Sequence, residues 1–293
     1  MSFSGSPAFL ALMAAVAFGM ADIAGSLATR SVGAALAVGL AQAIAAMLMG
    51  MLVLGGVASL PDQQGMLIAL GIGVGEAVGL VSLYHGLAHG RINVVAPLTG
   101  IFAVLLPAIA ELIFIRQSSL LAWFGIGLAA VAVFIIGRAR VADSPGDRSP
   151  AFSVFYGTLA GVVFGACNFG LAAASAEAAI GTVFLMRVAA SAGALLFAAT
   201  HLFATTHWQR PKVNVATLGF ILFAGMFDAL GMFGFVKAVT QGLIGVSSAL
   251  LSMSVGVMIL LGYLILKEPI NRRQLLGLAI GGLSIVLLAG SNG

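Results

Sequence analysis

The chain has 293 residues, of which 61% are hydrophobic and only 8% charged, with a formal net charge of +4. Water-soluble domains carry about 25% charged residues, and the mean hydropathy here is +1.16, so a soluble domain is excluded. The basic residues are scattered singly among short loops, which excludes a nucleic-acid surface, and Cys167 is the sole cysteine, which excludes an intramolecular disulfide.

Ten apolar stretches follow one another, at roughly 7–28, 32–57, 64–88, 92–115, 118–138, 151–174, 179–205, 213–239, 244–266 and 270–290. Each has about the 20 residues needed to cross ~30 Å of hydrocarbon at 1.5 Å per residue. The first lacks a basic region ahead of it and is long for a secretion signal, so it is expected to remain as a span. Ten Lys and Arg residues, from Arg30 to Arg273, fall on one face, against Arg116 and Lys237 on the other. That bias makes the first face cytoplasmic and places both termini outside.

The segments repeat. Residues 73–138 slide onto 225–290 without gaps, matching Gly73 with Gly225, Glu76 with Asp228, Gly79 with Gly231 and Gly125 with Gly277. Ala17–Ala28 of segment one resembles Val163–Ala174 of segment six, which pairs Asp22 with Asn168. Five spans per copy is an odd number, so the second copy enters from the opposite side. The expected fold is therefore all-α and integral to the membrane, with ten transmembrane helices as two inverted five-helix repeats around a central cavity. The first repeat takes 1–140 and the second 151–293, and 141–150, VADSPGDRSP, is the linker, too charged and proline-rich to span. Glycines every fourth residue (Gly71, Gly75 and Gly79; Gly157, Gly161 and Gly165; Gly277 and Gly281) let helix backbones approach. They serve packing within a monomer or the face of a homodimer.

Polar side chains inside spans need a partner, water or a substrate, because a charge at the bilayer centre costs about 3 kcal/mol on insertion scales. Asp22 and Asn168 suit asymmetric recognition of a zwitterion, or simply hydrogen bonding between helices. Glu76 and Asp228, near the middle of segments three and eight, are candidates to carry a proton or hold a substrate ammonium. The structural alternative is a pair of buried acids that tie helices together. Tyr84 and His85 end segment three and are candidates for a proton-sensitive gate. His85 and His89 have ligand spacing, but two ligands do not make a metal site. Pro97 and Pro107 each remove a backbone hydrogen bond in segment four and permit a hinge. Arg187 is the only base well inside a span, and its fork suits a carboxylate, either the substrate's or a buried acid's. Ser247, Ser248, Ser252 and Ser254 offer hydroxyls to a cavity, and Phe18, Phe164 and Phe169 offer ring faces to an apolar substrate.

Residues 262–288, GYLILKEPINRRQLLGLAIGGLSIVLL, carry a span, the turn Lys267-Glu268-Pro269, and a helix with Gln274, Gly277 and Gly282. This resembles the ending of the drug/metabolite transporter superfamily, and residues 90–115 and 243–266 resemble its fourth and ninth helices. The first half departs from the pattern at Ile115-Arg116-Gln117, where an acid is expected. Ten spans in two repeats are similar to the EamA-type branch. The resemblance implies movement of small organic solutes without ATP. It also implies a central cavity lined by helices one to four and six to nine, with five and ten peripheral. Its amino acid exporters, the aromatic ones among them, are similar in size and layout.

The spans contain neither H-E-x-x-H nor G-x-S-x-G, and there is no Walker A loop, so neither an intramembrane enzyme nor an ATP-driven pump is expected. No cofactor and no resident metal are expected. The expected function is secondary-active export of small organic metabolites by alternating access, with aromatic or neutral amino acids as substrates and protons as a possible drive. The expected location is the cell inner (plasma) membrane. A passive pore, or an exporter of drugs, nucleosides or sugar phosphates, is the alternative.

Overall fold

Away from water only a helix satisfies every backbone N–H and C=O within one segment, and the apolar stretches fold accordingly. The computed structural model describes residues 7–114, 120–137, 149–172, 178–204, 213–240, 254–267 and 270–291. Their helices are α1 (Pro7–Val32), α2 (Ala34–Leu54), α3 (Gln63–His89), α4 (Ile92–Phe114) and α5 (Leu120–Gly137), then α6 (Pro150–Ala172), α7 (Ala179–Ala204), α8 (Val215–Thr240), α9 (Ser254–Leu266) and α10 (Arg272–Ser291). No strand occurs among the described residues. Six helices, α1, α2, α3, α6, α7 and α8, are long and apolar enough to cross a bilayer. The apolar stretches Ile92–Ala103, Trp123–Ala132, Ser254–Ile265 and Leu275–Ser284 lie in the other four.

Helix ends follow local chemistry. Gly33 takes φ +83° and turns the chain between α1 and α2, where only a residue without a Cβ is unstrained. The Asp62 carboxylate caps α3 by accepting from the Gly65 N–H at 2.9 Å, and Asn214 caps α8 by accepting from the Thr217 N–H at 2.8 Å. Helix α1 runs four residues beyond the expected end, and α2 stops at Leu54, short of the expected 57, because Gly55 and Gly56 close it. Residues 141–148 of the linker, the Arg116-Gln117 and Glu268-Pro269 turns, and Ser247, Ser248 and Ser252 lie outside the described residues.

Packing relates the halves. Helix α1 lies along α8 as α6 lies along α3, and α2 packs on α8 as α7 packs on α3. Phe18 of α1 sits on Gly231 of α8, and the matching Phe164 of α6 sits on Gly79 of α3. Helices α2 and α7 cross reciprocally: Gly39 meets Leu195, while Phe184 meets Gly50. Further contacts tie α4 to α6, where Thr99 Oγ1 donates to the Gly157 carbonyl at 3.1 Å, and α5 to α10, where Ser284 Oγ donates to the Gly125 carbonyl at 2.8 Å. Gly157 and Gly161 thus serve internal packing, each against the α4 backbone.

Direction can be read from which ends touch. Arg30, near the end of α1, donates to the Ala88 carbonyl near the end of α3 at 3.2 Å. The His85 ring there lies 4.9 Å from Tyr156 at the start of α6. Helix α1 therefore ends where α6 begins. At the far end, Leu10 and Ala14 of α1 face Gly234 near the end of α8, so α3 and α8 also run oppositely.

Candidate functional site

Two glycines bring the charges together. Gly73 of α3 lies against the carbonyl of Met186 and the Ala189 methyl of α7, so close that a Cβ would overlap backbone. One turn further along α3 comes Glu76, and one residue after Met186 comes Arg187. Arg187 Nη1 donates to Glu76 Oε2 at 2.5 Å. Helix α8 repeats this on α2: Gly225 meets the Ala41 carbonyl and Ile44, and Asp228 follows one turn later. Arg187 reaches across, placing Nε 2.9 Å from Asp228 Oδ2, an ion pair whose angle falls short of a hydrogen bond.

Side-chain exposure is 2% for Arg187, 7% for Asp228 and 13% for Glu76. At that depth water does not screen the charges, and each depends on the others. Removing an ion of this kind from water costs several kcal/mol, which only close partners offset.

The same glycine contacts identify a residue that the sequence reading missed. Gln42 is the ninth residue of α2 and Arg187 the ninth of α7. Each follows the carbonyl that a repeat-equivalent glycine touches. Gln42 is therefore the counterpart of Arg187. It is 1% exposed, its amide is directed at Asp228, and its Oε1 accepts no hydrogen bond.

Asp22 on α1 is partly exposed and stands within electrostatic reach of Asp228 and Arg187. It makes no hydrogen bond or ion pair among the described residues. The buried Tyr84 ring lies on Gly25 of α1, where a Cβ would overlap it, and interacts electrostatically with Asp22, Asp228 and Arg187. Five expected site residues thus converge: Asp22, Glu76, Tyr84, Arg187 and Asp228. Two carboxylates, Glu76 and Asp228, contact the one guanidinium, and Asp22 interacts with it electrostatically without an ion pair among the described residues.

The remaining candidates lie elsewhere. Asn168 is exposed on α6 and makes no hydrogen bond among the described residues. Its neighbour Cys167 points its Sγ at the Ile72 carbonyl, 3.6 Å away. His85 packs edge-on or tilted against His89, Phe152 and Tyr156 where α3 ends, apart from the Tyr84 that precedes it. Pro97 is buried, and α4 continues as one helix through both Pro97 and Pro107. Phe18 and Phe164 fill glycine notches between helices, and the Phe169 side chain lies outside the described residues. No three acid, His or Cys side chains stand close enough to hold a metal ion among the described residues.

Residues 151–290 match the EamA-like transporter family. A solved structure described as "Crystal structure of protein" superposes with a TM-score of 0.61 at 15% identity, covering 98% of this chain and 96% of that one. At such identity the likeness is one of fold. No curated protein sequence matches the chain.

Proposed function

We propose that this chain, a multi-pass membrane protein carrying an EamA-like transporter domain, exports small organic metabolites by alternating access between two inverted five-helix repeats, the first in 1–140 and the second in 151–293. Aromatic or neutral amino acids are the substrate class, and proton exchange at the buried carboxylates supplies the drive. The location is the cell inner (plasma) membrane with both termini outside, the protein acting as a monomer or homodimer.

One observation carries this reading. A single buried guanidinium, Arg187, is shared by Glu76 and Asp228, which hold equivalent positions on helices of opposite direction. Pulling α3 from α8 makes Arg187 choose between them, so a rocking of one half against the other rearranges charge at the membrane's middle. The carboxylate left without the arginine needs a proton or a cationic group in its place, because an unpaired charge there is costly. Opposed helix directions and reciprocal glycine contacts support the inverted repeat, the architecture in which such gates alternate around a midplane site.

Cells overexpressing the protein are expected to resist toxic amino acid analogues, with growth inhibition shifted to higher analogue concentration. A panel of aromatic and neutral analogues tests this by growth. Protection by none of them excludes amino acids and favours drugs, nucleosides or sugar phosphates.

A further inference from the structure

The two halves of the site differ in charge. Helices α7 and α3 carry Arg187 and Glu76, one base and one acid, while Asn168 of α6 stands apart and exposed. The equivalent positions on α2, α8 and α1 carry Gln42, Asp228 and Asp22, two acids and no base. Arg187 already contacts both Glu76 and Asp228, so its fork is not open to a substrate carboxylate. Asp22 has no ion-pair partner among the described residues and interacts electrostatically with Asp228 and Arg187.

Gln42 supplies an independent sign of a ligand. The amide is 1% exposed and its Oε1 accepts no hydrogen bond, and such buried groups call for an explanation in a native structure. Its Oε1 can accept from a donor lying between it and the two acids. A ligand that suits these groups is positively charged and rich in N–H donors. An anion has the wrong sign, and the spacing of the acids does not form a divalent-metal cage.

We propose that Asp22, Gln42 and Asp228, the acidic half of the cluster, bind the ammonium group of the transported solute, while Arg187 positions Asp228 and Glu76 and does not receive the solute's carboxylate. This rests on the transporter reading above and adds to it the part of the solute that is recognised. An ammonium offers three N–H donors and one charge, matching two carboxylates and one amide oxygen. Charge-assisted bonds of this kind are among the strongest in proteins. A zwitterion and a simple amine then satisfy the site, and a carboxylic acid of the same skeleton does not.

The test uses the purified full-length protein in detergent with phenethylamine, phenylalanine, 3-phenylpropionate and sodium chloride as separate titrants in calorimetry. The amine and the amino acid are expected to bind and to compete, and 3-phenylpropionate to do neither. Asp22→Asn and Gln42→Leu should each weaken amine binding about tenfold or more, and Asp22→Glu should restore most of it. That rescue separates loss of charge from loss of fold, as does an unchanged elution profile. Binding of 3-phenylpropionate as tight as the amine's overturns the proposal. So does sodium binding in place of the amine, failure of both nitrogen compounds to bind, or unchanged amine affinity in Asp22→Asn and Gln42→Leu. Vesicle uptake separates the two claims: solutes moved without regard to charge defeat only the ammonium site, whereas no carrier-mediated movement of any solute defeats the transporter reading itself.

Discussion

Arg187→Ala is expected to destabilise the protein by about 3–5 kcal/mol and to abolish transport, because it leaves two buried carboxylates without their cation. Thermal unfolding in detergent and uptake into vesicles measure the two effects separately. Arg187→Lys keeps the charge but offers a single ammonium where Nη1 and Nε now serve different acids, so it should recover part of the stability and little of the activity. Adding Glu76→Gln and Asp228→Asn to Arg187→Leu removes the mismatch of charge. Most of the lost stability should then return while transport stays absent. An Arg187→Ala protein that melts like the wild type would mean that the three side chains are not mutually dependent.

The second large effect is steric. A Cβ at Gly73 would overlap the Met186 carbonyl, and one at Gly225 would come within 2.5 Å of the Ala41 carbonyl. Backbone atoms cannot swing aside as a side-chain tip can, so helix must separate from helix. Gly73→Ala should push α3 from α7 and lengthen the Glu76–Arg187 contact. Gly225→Ala should push α8 from α2 and part Asp228 from Gln42. Each is expected to cost about 1–3 kcal/mol, as overpacking does elsewhere, and to reduce transport at least tenfold. Gly71→Ala is the internal comparison. It sits on the same helix with nothing within 4 Å of the added methyl, so helix propensity should leave it neutral or up to about 1 kcal/mol more stable. Equal effects at Gly71 and Gly73 would show that close approach is not what positions the charges.

Much of this was legible in the residues. Apolar length predicts helices, and the ungapped match of 73–138 with 225–290 sets Glu76 level with Asp228; in the structure both contact Arg187. Arg187 stood out as the one base deep in a span, but which carboxylate it held was open, since sequence shows the need for a partner and not its address. Gln42 escapes a reading of the sequence because the matched stretches, 17–28 with 163–174 and 73–138 with 225–290, leave out α2 and α7, and an amide in an alanine-rich helix carries no charge to draw notice. Extending the repeat to α2 and α7 by their shared starts, at Ala34 and Ala179, would have aligned it with Arg187. From sequence Phe18 and Phe164 offer ring faces to a substrate, whereas the structure seats them in glycine notches of the neighbouring helix. Such notches form only where two segments distant in sequence meet. Tyr84 and His85 parted for a simpler reason: successive residues on a helix point about 100° apart, so one faces α1 and the other α6.

Counterflow in proteoliposomes tests the central claim most directly. Vesicles preloaded with unlabelled phenylalanine and given a trace of labelled phenylalanine outside should accumulate label transiently above equilibrium. The initial rate should saturate, and an imposed pH gradient should change the direction of net flow. Glu76→Gln with Asp228→Asn should remove the response to pH. Label that only equilibrates, at a rate proportional to concentration and indifferent to the pH gradient and to both substitutions, would mark a passive pore and contradict alternating access around Arg187.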